Sequence, residues 1–252
     1  MQGATPDSLL AFHDAGYREV IARLGDGRIL DVGCGVGAET ARIAADGREL
    51  IGVDYSAETA IQADAAFGGP HRRFLAMDGS QLGFASATFD AVCSSHIIEH
   101  FTAPEAHVGE LARVLRPDGS AFVITPNRPA DFENPFHVYL FEPTELESLL
   151  RLFFDEVEVL GLEGSPDLHA DFAARRASGE RMLRLDPLGL RKTLPRSWYV
   201  FGYEHALPVV YKLLGSDRTG IGSGLDASHF FVTDDIEPTT PGLFAVARRP
   251  RR

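Results

Sequence analysis

The feature that most constrains this chain is the segment 29–37, ILDVGCGVG, in which an apolar run passes through an acidic residue into alternating glycines. The apolar run is typical of a buried strand. Glycine at every second position lets the backbone turn tightly and approach a ligand, and the helical sequence 38–45 predicts a helix N-terminus beside that turn. The segment therefore predicts a strand, a loop and a helix that bind a nucleotide-type cofactor.

The composition excludes several classes of protein. With 252 residues and a net charge of −12, the chain is long enough for one sizeable core and too acidic for general nucleic-acid binding. Cys34 and Cys93 fall in or beside predicted buried strands, which favours reduced thiols in a cytoplasmic protein. The N-terminus shows no signal peptide, and no stretch approaches the ~20 apolar residues of a membrane span. We expect a single cytoplasmic domain over residues 1–252, with no nucleic-acid or membrane partner.

Strand and helix signals alternate through the first 160 residues. This alternation predicts an α/β fold with a doubly wound, mostly parallel sheet covered by helices. The strands are expected at 29–32, 49–53, 73–76, 89–93, 121–125, 154–160 and 243–247.

Local capping signals place the helices. A first helix is predicted over 7–24, and a second over 56–67 with Ser56 as its N-cap. Capping boxes formed by Thr102 with Glu105 and by Thr144 with Glu147 predict the starts of two more helices. Residues 116–119, Arg-Pro-Asp-Gly, predict a turn after the third helix.

Residues 163–230 break this rhythm and separate two strands that can pair. The segment has helical pieces interrupted by prolines. An insertion of that length beside a cofactor site often forms a lid or a substrate wall. We therefore expect a helical insertion before the last strand that closes over the substrate.

Acidic residues at three strand ends narrow the choice of cofactor. Asp54 stands where a ribose-binding acid belongs, as in sites for NAD, FAD and S-adenosylmethionine alike. Asp31 would oppose a pyrophosphate at the glycine turn, but it suits a cofactor that carries an ammonium and a sulfonium. Asp78 is placed to accept a hydrogen bond from an adenine amino group.

Taken in order, these motifs resemble the class I S-adenosylmethionine-dependent methyltransferases. The resemblance rests on residues 30–37, Gly52 to Ser56, Asp78, Phe89-Asp90 and the LRPDG run at 115–119, and it covers roughly residues 20 to 162. It implies a Rossmann-like sheet of seven strands with a reversed final hairpin. It also implies S-adenosyl-L-methionine as the methyl donor and S-adenosyl-L-homocysteine as the product.

The same resemblance assigns residues to parts of the cofactor. The methionine portion would lie against Asp31 and the loop from Gly33 through Gly35 to Gly37, the ribose hydroxyls on Asp54, and the adenine on Asp78 with backbone contacts from Gly79 and Ser80. The remaining residues expected to line the cofactor are Cys34, Tyr55 and Ser95.

The sequence after the fourth strand, SSHIIEHF at 94–101, carries the candidate catalytic groups. The carboxyl ends of central strands face the ligand crevice of a doubly wound sheet. His96 is therefore the leading candidate for a general base in O-methyl transfer, with His100 as a second candidate. The alternative is that His96 only shapes the pocket.

A divalent metal is a further possibility that we do not favour from the sequence. His96, Glu99 and His100 have the spacing of one helical face, and His137 could join them as a ligand. A related E-x-x-E-H arrangement with a later histidine occurs in metal-dependent RNA 2′-O-methyltransferases, which this chain resembles only in part. Here His96 replaces the first acid, and the chain is too acidic for an RNA-binding surface.

Two further regions predict contacts with the acceptor. The loop 125–141 resembles one that crosses the active-site mouth of small-molecule methyltransferases, and it places His137 and Tyr139 there. Seven basic residues against two acidic ones lie between 175 and 196, with Trp198 and Tyr203 close behind. This pattern suits an anionic acceptor, although a solvated basic helix face explains it as well.

The sequence favours O-methylation of a small molecule, such as a sugar or a biosynthetic intermediate. N-methylation of a small amine is the nearest alternative, followed by metal-assisted O-methylation. Outside this class stand a nicotinamide or flavin oxidoreductase and a cofactor-binding protein without catalysis. The oligomeric state stays open.

Overall fold

The computed structural model describes residues 7–44, 48–130, 137–183 and 224–251, and side chains 175–183 lie outside that description. Its helices are α1 (Asp7–Arg23), α2 (Ala57–Phe67), α3 (Pro104–Val114), α4 (Pro143–Arg151) and α5 (Pro166–Leu183). Its strands are β1 (Gly27–Val32), β2 (Arg48–Asp54), β3 (Arg72–Ala76), β4 (Phe89–Ser95), β5 (Leu115–Pro126), β6 (Phe154–Gly164), β7 (Phe230–Thr233) and β8 (Gly242–Pro250).

One mixed sheet organises these elements, in the order β3-β2-β1-β4-β5-β8-β6-β7. Strands β1 to β5 pair in parallel, whereas β8 lies antiparallel between β5 and β6. The predicted α/β class, with its mostly parallel sheet and reversed final hairpin, is confirmed. Because the parallel strands share one direction, the residues that follow β1, β2, β3 and β4 meet at one edge of the sheet.

The predicted number of seven strands is wrong, because the described residues already form a sheet of eight. The additional strand β7 pairs antiparallel with 161–164 at the end of β6. A run of only four residues gives almost no periodic signal, so its pairing with β6 is a tertiary contact that local sequence does not encode.

Apolar residues fill both faces of the sheet. On one face α1 packs through Phe12, Ala15 and Val20 against the strands. On the other face α3 and α4 contribute Leu111, Leu146 and other residues with helical spacing. These two layers hold the carboxyl ends of the central strands in fixed relative positions.

The helix-start signals had mixed success. Ser56 caps α2 as predicted, since its hydroxyl accepts a hydrogen bond from the Thr59 backbone nitrogen at 3.2 Å. The box at Thr102 is wrong, because α3 begins at Pro104 after Ala103, which makes no side-chain cap bond. The second box belongs to Glu142 and Glu145, two residues before the predicted pair Thr144 and Glu147. Pro143 favours that earlier start because its fixed φ suits the first helical position.

Two other local predictions are wrong. The described residues 38–44 do not form an α-helix, and a short 3-10 helix, Thr40–Ile43, follows the glycine loop. Residues 116–119 belong to β5, where these four residues lie opposite the single residue Asp90 of β4, between the pairs Phe89–Leu115 and Ala91–Ser120. The proline and glycine thus produce an irregularity within a strand.

The described part of the 163–230 insertion contains the end of β6, helix α5, a 3-10 helix, Ala227–His229, and the first residue of β7. Its first two residues belong to β6, so the departure from the sheet comes after Gly164. Residues 184–223 lie outside the described part. Among the described helices, none combines the length and apolarity needed to span a membrane.

Candidate cofactor and acceptor site

The glycine loop after β1 is anchored at one end and open at the other. The Gly33 and Cys34 backbone nitrogens donate to the Val53 carbonyl of β2 at 2.8 and 3.0 Å. Gly33 has a φ of +84°, and a Cβ added there would lie 2.2 Å from Ile97 Cγ2. Gly35, with a φ of +52°, has no atom within 4 Å of such a Cβ. The loop thus has space for a ligand beside Gly35.

Asp54, at the end of β2, stabilises this loop through hydrogen bonds. One of its carboxylate oxygens accepts from the Gly35 nitrogen at 3.0 Å, and the other accepts from the Ser56 nitrogen at 2.9 Å. Each carboxylate oxygen has a second lone pair, so these bonds leave room for hydroxyl donors. Tyr55, the next residue, is 83% exposed.

Asp31 is fully buried beneath the loop. Tyr17 of α1 and Thr40 donate their hydroxyls to Asp31 Oδ2 at 2.9 and 2.5 Å. Asp31 Oδ1 is buried and has no hydrogen-bond partner among the described residues. Burial raises the pKa of this carboxyl to about 6. Sequence reasoning missed Tyr17, which looked like one more position on the buried face of α1.

Cys34 is buried, and its Sγ lies 3.7 Å from the Gly35 carbonyl. Burial, followed by the negative charges of Asp31 and Asp54, raises the thiol pKa above its usual range. The side chain is therefore a neutral thiol that packs under the loop and is poorly suited to nucleophilic chemistry.

The loop after β3 presents Asp78 at the same edge of the sheet. Asp78 is exposed, and its Oδ1 accepts from the backbone nitrogen and the hydroxyl of Ser80 at 2.8 and 2.7 Å. These bonds lower the carboxyl pKa, so Asp78 is ionised at neutral pH. Gly79 is buried, and a Cβ there would lie 2.9 Å from Val32 Cγ1. Close packing thus fixes the loop while the carboxylate stays accessible.

His107 of α3 ties that loop to β4, and the sequence analysis missed it. Its Nδ1 lies 2.9 Å from the Gly79 carbonyl, and its Nε2 lies 2.9 Å from Ser94 Oγ. Burial lowers its pKa to about 4, so the ring is neutral. Because a carbonyl can only accept, Nδ1 carries the proton and Nε2 accepts from the serine. Its spacing with Val108 and Leu111 on the buried face of α3 was the available signal.

His96 follows β4 in a backbone conformation that is uncommon outside glycine. Its φ is +55°, and its backbone nitrogen donates to the Ile124 carbonyl at 2.8 Å. Its ring lies 4.2 Å from the His13 ring and 4.6 Å from the Phe12 ring, centroid to centroid. The side chain is only 6% exposed, and its Nε2 has no hydrogen-bond partner among the described residues.

The surroundings of His96 keep it neutral. Burial lowers its pKa well below the usual value, and the charges of His13, His137 and His100 lower it further. Ser95, just before it, is also buried and has an unpartnered hydroxyl within the described part of the chain. Unpaired polar atoms in a buried wall are costly, which favours a site where a ligand supplies the missing partners.

The predicted common helical face of His96, Glu99 and His100 is wrong. His96 lies outside the short 3-10 helix Ile98–His100, and its left-handed backbone conformation interrupts helical geometry. The structure instead groups Glu99, His100 and His137, whose potential ligand atoms all lie within 4.8 Å of one another. His96 stands beside this group, with its Nδ1 3.9 Å from Glu99 Oε1.

The loop that carries His137 and Tyr139 is fastened to this region through the backbone. The Val138 and Tyr139 nitrogens both donate to the Glu99 carbonyl, at 2.8 and 3.0 Å. Tyr139 is 40% exposed and packs on Phe141. Trp198, Tyr203 and the side chains of the basic run from 175 to 196 lie outside the described residues.

The residues present fit S-adenosylmethionine. The free Oδ1 of Asp31 is a partner for an ammonium group, and the open side of the loop at Gly35 leaves space for a backbone-bound ligand. Asp54 and the exposed Asp78 add acceptors at the next two strand ends. A pyrophosphate would instead meet three carboxylates, which disfavours a dinucleotide.

Comparison with known proteins supports this fit. Residues 30–123 match the family model described as a methyltransferase domain. A "probable S-adenosylmethionine-dependent methyltransferase" from Mycobacterium tuberculosis is 34% identical over 170 residues, which cover 65% of this chain and 61% of the relative. A ubiquinone biosynthesis O-methyltransferase from Mesorhizobium japonicum is 36% identical over 104 residues, 40% of this chain and 41% of the relative. The chain thus spans about three fifths of the mycobacterial relative.

A solved structure shows the same fold over nearly the whole chain. It is described as an S-adenosylmethionine-dependent methyltransferase and possible histamine N-methyltransferase from Thermotoga maritima, with 15% identity and a TM-score of 0.61. The structural match covers 96% of this chain and 91% of the solved chain. The predicted resemblance to S-adenosylmethionine-dependent methyltransferases is therefore confirmed, and over residues 30–123 this chain is similar to a methyltransferase domain.

Proposed function

We propose that this protein transfers a methyl group from S-adenosyl-L-methionine to a hydroxyl of a small molecule and releases S-adenosyl-L-homocysteine. The observation that carries the choice of a hydroxyl is His96. It stands at the carboxyl end of β4 as a buried, neutral imidazole in a left-handed backbone conformation, and its Nε2 has no partner within the described chain. Such strained residues concentrate at functional sites.

The reaction needs alignment more than acid–base strength. The acceptor oxygen attacks the methyl carbon, an oxygen–carbon bond forms, and the carbon–sulfur bond breaks with its electron pair going to sulfur. The sulfonium charge disappears, and the hydroxyl proton must leave. Asp31 and Asp54 hold the donor in this proposal, while the rigid loop at Gly33 fixes its direction.

His96 takes the proton in this scheme. A buried imidazole with a lowered pKa is a weak base towards a free alcohol. It becomes sufficient as the oxygen–carbon bond forms, because a methylating hydroxyl turns strongly acidic. Until then the Nε2 lone pair accepts a hydrogen bond from the hydroxyl and orients it. His100, exposed at the mouth, is the second candidate for the proton.

The similar proteins support the methyltransferase class, and their names differ in the acceptor. The ubiquinone biosynthesis relative is named an O-methyltransferase, but it matches only 104 residues, or 40% of this chain. We extend the proposal to a cytoplasmic enzyme whose 163–230 segment covers the acceptor. In that arrangement His137, Tyr139, Trp198 and Tyr203 contact the acceptor, and the basic run attracts an anionic one.

The test is transfer of a radiolabelled methyl group from S-adenosylmethionine to paired acceptors that differ only in a hydroxyl or an amine, such as catechols and the matching anilines. We expect the hydroxyl acceptors to be labelled. His96→Ala should lower turnover by roughly 10²-fold or more while leaving binding of S-adenosylhomocysteine nearly unchanged. Labelling of amines alone, or full turnover by His96→Ala, would contradict the proposal.

His96→Asn is the matched variant for the backbone. Asparagine tolerates positive φ better than alanine does. A turnover loss shared by both variants assigns the effect to the imidazole, and recovery in His96→Asn assigns it to the backbone and overturns the base role.

A further inference from the structure

We propose that Glu99, His100 and His137 bind a divalent transition-metal cation at the acceptor side of the site. The three residues come from two segments, the 3-10 helix after β4 and the loop before α4. One carboxylate oxygen and one nitrogen from each imidazole lie within 4.8 Å of one another. The sequence analysis did not favour a metal, and the grouping in the structure is what changes that expectation.

The carboxylate is the fixed member of the group. Glu99 is 1% exposed, and its Oε2 accepts from the Thr125 hydroxyl at 3.1 Å. That bond orients the carboxylate. An oriented ligand with a hydrogen-bonded second oxygen is the usual arrangement around protein-bound metals.

The backbone holds the third ligand over the first two. The two hydrogen bonds from Val138 and Tyr139 to the Glu99 carbonyl place His137 directly beside Glu99. The His137 ring lies 5.3 Å from the His100 ring, centroid to centroid. His137 is half-buried and His100 is exposed, so the group opens to solvent on its imidazole side and a cation can enter there.

The spacing is compatible with an ion after a small side-chain rotation. Zinc bonds of about 2.1 Å in a tetrahedral site require ligand atoms about 3.4 Å apart. Closing the widest separation requires a movement of about 1.4 Å, which His100 can make at the surface by changing its side-chain torsions. Two imidazoles and one carboxylate suit Zn²⁺, Fe²⁺, Co²⁺ or Mn²⁺ better than Mg²⁺ or Ca²⁺.

Three protein ligands leave a coordination position open, as catalytic metal sites do. This role rests on the proposed function: a cation here would bind an oxygen of the acceptor, lower the pKa of its hydroxyl, and release that proton to water or His96. The oxygen would then attack the methyl carbon as before. Metal binding itself depends on none of these steps.

The test is a Zn²⁺ titration of the full chain in competition with a fluorescent chelator. We compare wild type, Glu99→Gln, His100→Ala and the control His71→Ala, in which an exposed histidine just before β3 is removed. We expect one Zn²⁺ per chain in wild type and in His71→Ala, with affinity at least tenfold weaker in the other two variants. Thermal unfolding shows whether Glu99→Gln, altered at a buried position, still folds. If it does not, His100→Ala still tests the metal site, because it changes an exposed residue.

Zinc affinity that is equal in all four proteins, or no stoichiometric binding to wild type, would overturn the metal site. Calorimetry with S-adenosylhomocysteine on the same samples separates this inference from the proposed function. If S-adenosylhomocysteine still binds but the zinc titration shows no site that depends on these residues, only the metal site is excluded. Zinc binding that depends on Glu99 and His100, without any binding of the product, supports the metal and removes the methyltransferase role.

Discussion

The two halves of the site are built in different ways. The proposed cofactor half consists of residues 31–35, 54–55 and 78–80, which lie at or just after the carboxyl ends of β1, β2 and β3 and are held by backbone and carboxylate hydrogen bonds at these neighbouring strand ends. The proposed acceptor half consists of residues 96–100 and 137–139, which are joined by backbone hydrogen bonds between distant parts of the chain. It includes His96, whose backbone is in the left-handed conformation. In the proposed function, donor binding therefore depends on the carboxyl edge of the sheet, whereas acceptor choice depends on segments that come from other parts of the chain.

The largest effect on stability should come from adding a side chain at Gly33, the tightly packed end of the glycine loop. Gly33→Ala places a methyl group against Ile97 in a left-handed backbone, and should lower the free energy of unfolding by roughly 4 kcal/mol. Gly224→Ala is the control, because Gly224 has a φ of +74° but open space around its Cβ. It should cost about 1 kcal/mol. Urea unfolding measures both, and equal losses would mean that the loop is not tightly packed.

Asp31 should give the next largest effect, through pH. Its folded pKa of about 6 exceeds the ordinary aspartate pKa of 3.8, so between those two pH values the folded protein retains a proton that the unfolded chain has lost. Stability is therefore highest below pH 4 and falls by about 3 kcal/mol as pH rises through 6, relative to Asp31→Asn.

Urea unfolding of wild type and Asp31→Asn from pH 3.5 to 7 measures that difference. A pH-independent gap between the two proteins would show that Asp31 is not a desolvated carboxyl. In the same account, an ammonium-bearing donor binds about tenfold more weakly per pH unit below 6, because Asp31 must first lose its proton.

Removing the Asp54 carboxylate at the end of β2 should mainly weaken binding of the methyl donor. Asp54→Ala removes the acceptors for the Gly35 and Ser56 nitrogens and should weaken binding of S-adenosylmethionine by about 1–3 kcal/mol. Asp235→Ala, which changes an exposed loop residue, is the control and should bind normally. Calorimetry compares the two, and unchanged affinity in Asp54→Ala would remove Asp54 from the cofactor half.

The smallest effect tests whether the halves are separable. Tyr55→Ala removes a side chain that is 83% exposed, so stability should change by less than about 0.5 kcal/mol while donor affinity falls a few-fold. Tyr139→Ala, in the acceptor half, should leave donor affinity unchanged. Equal losses of donor affinity in both variants would show that the two halves bind the cofactor together.

The same division explains what the sequence could predict. Asp31, Asp54 and Asp78 follow directly after apolar runs, so their place at the sheet edge could be read from the chain once the strands were recognised. Tyr17 and His107 could not, because their partners are 13 to 28 positions away and lie on other elements. Each looked like one more residue on a buried helix face.

In the acceptor half the errors have a different cause. The spacing of His96, Glu99 and His100 predicted a common helical face, but the positive φ of His96 places it on a separate piece of backbone. Periodicity cannot anticipate such a residue, because tertiary packing imposes its conformation. The partnership of Glu99 with His137 likewise depends on hydrogen bonds across 39 and 40 positions of the chain, from Val138 and Tyr139 to the Glu99 carbonyl.

The most direct test of the central claim is calorimetric titration of the purified protein with S-adenosylhomocysteine and, separately, with NADH. The account predicts one S-adenosylhomocysteine per chain and no NADH, because Asp31, Asp54 and Asp78 favour an ammonium-bearing adenosine ligand and oppose a pyrophosphate. Binding of NADH without S-adenosylhomocysteine would contradict the assignment of the glycine loop and the function built on it.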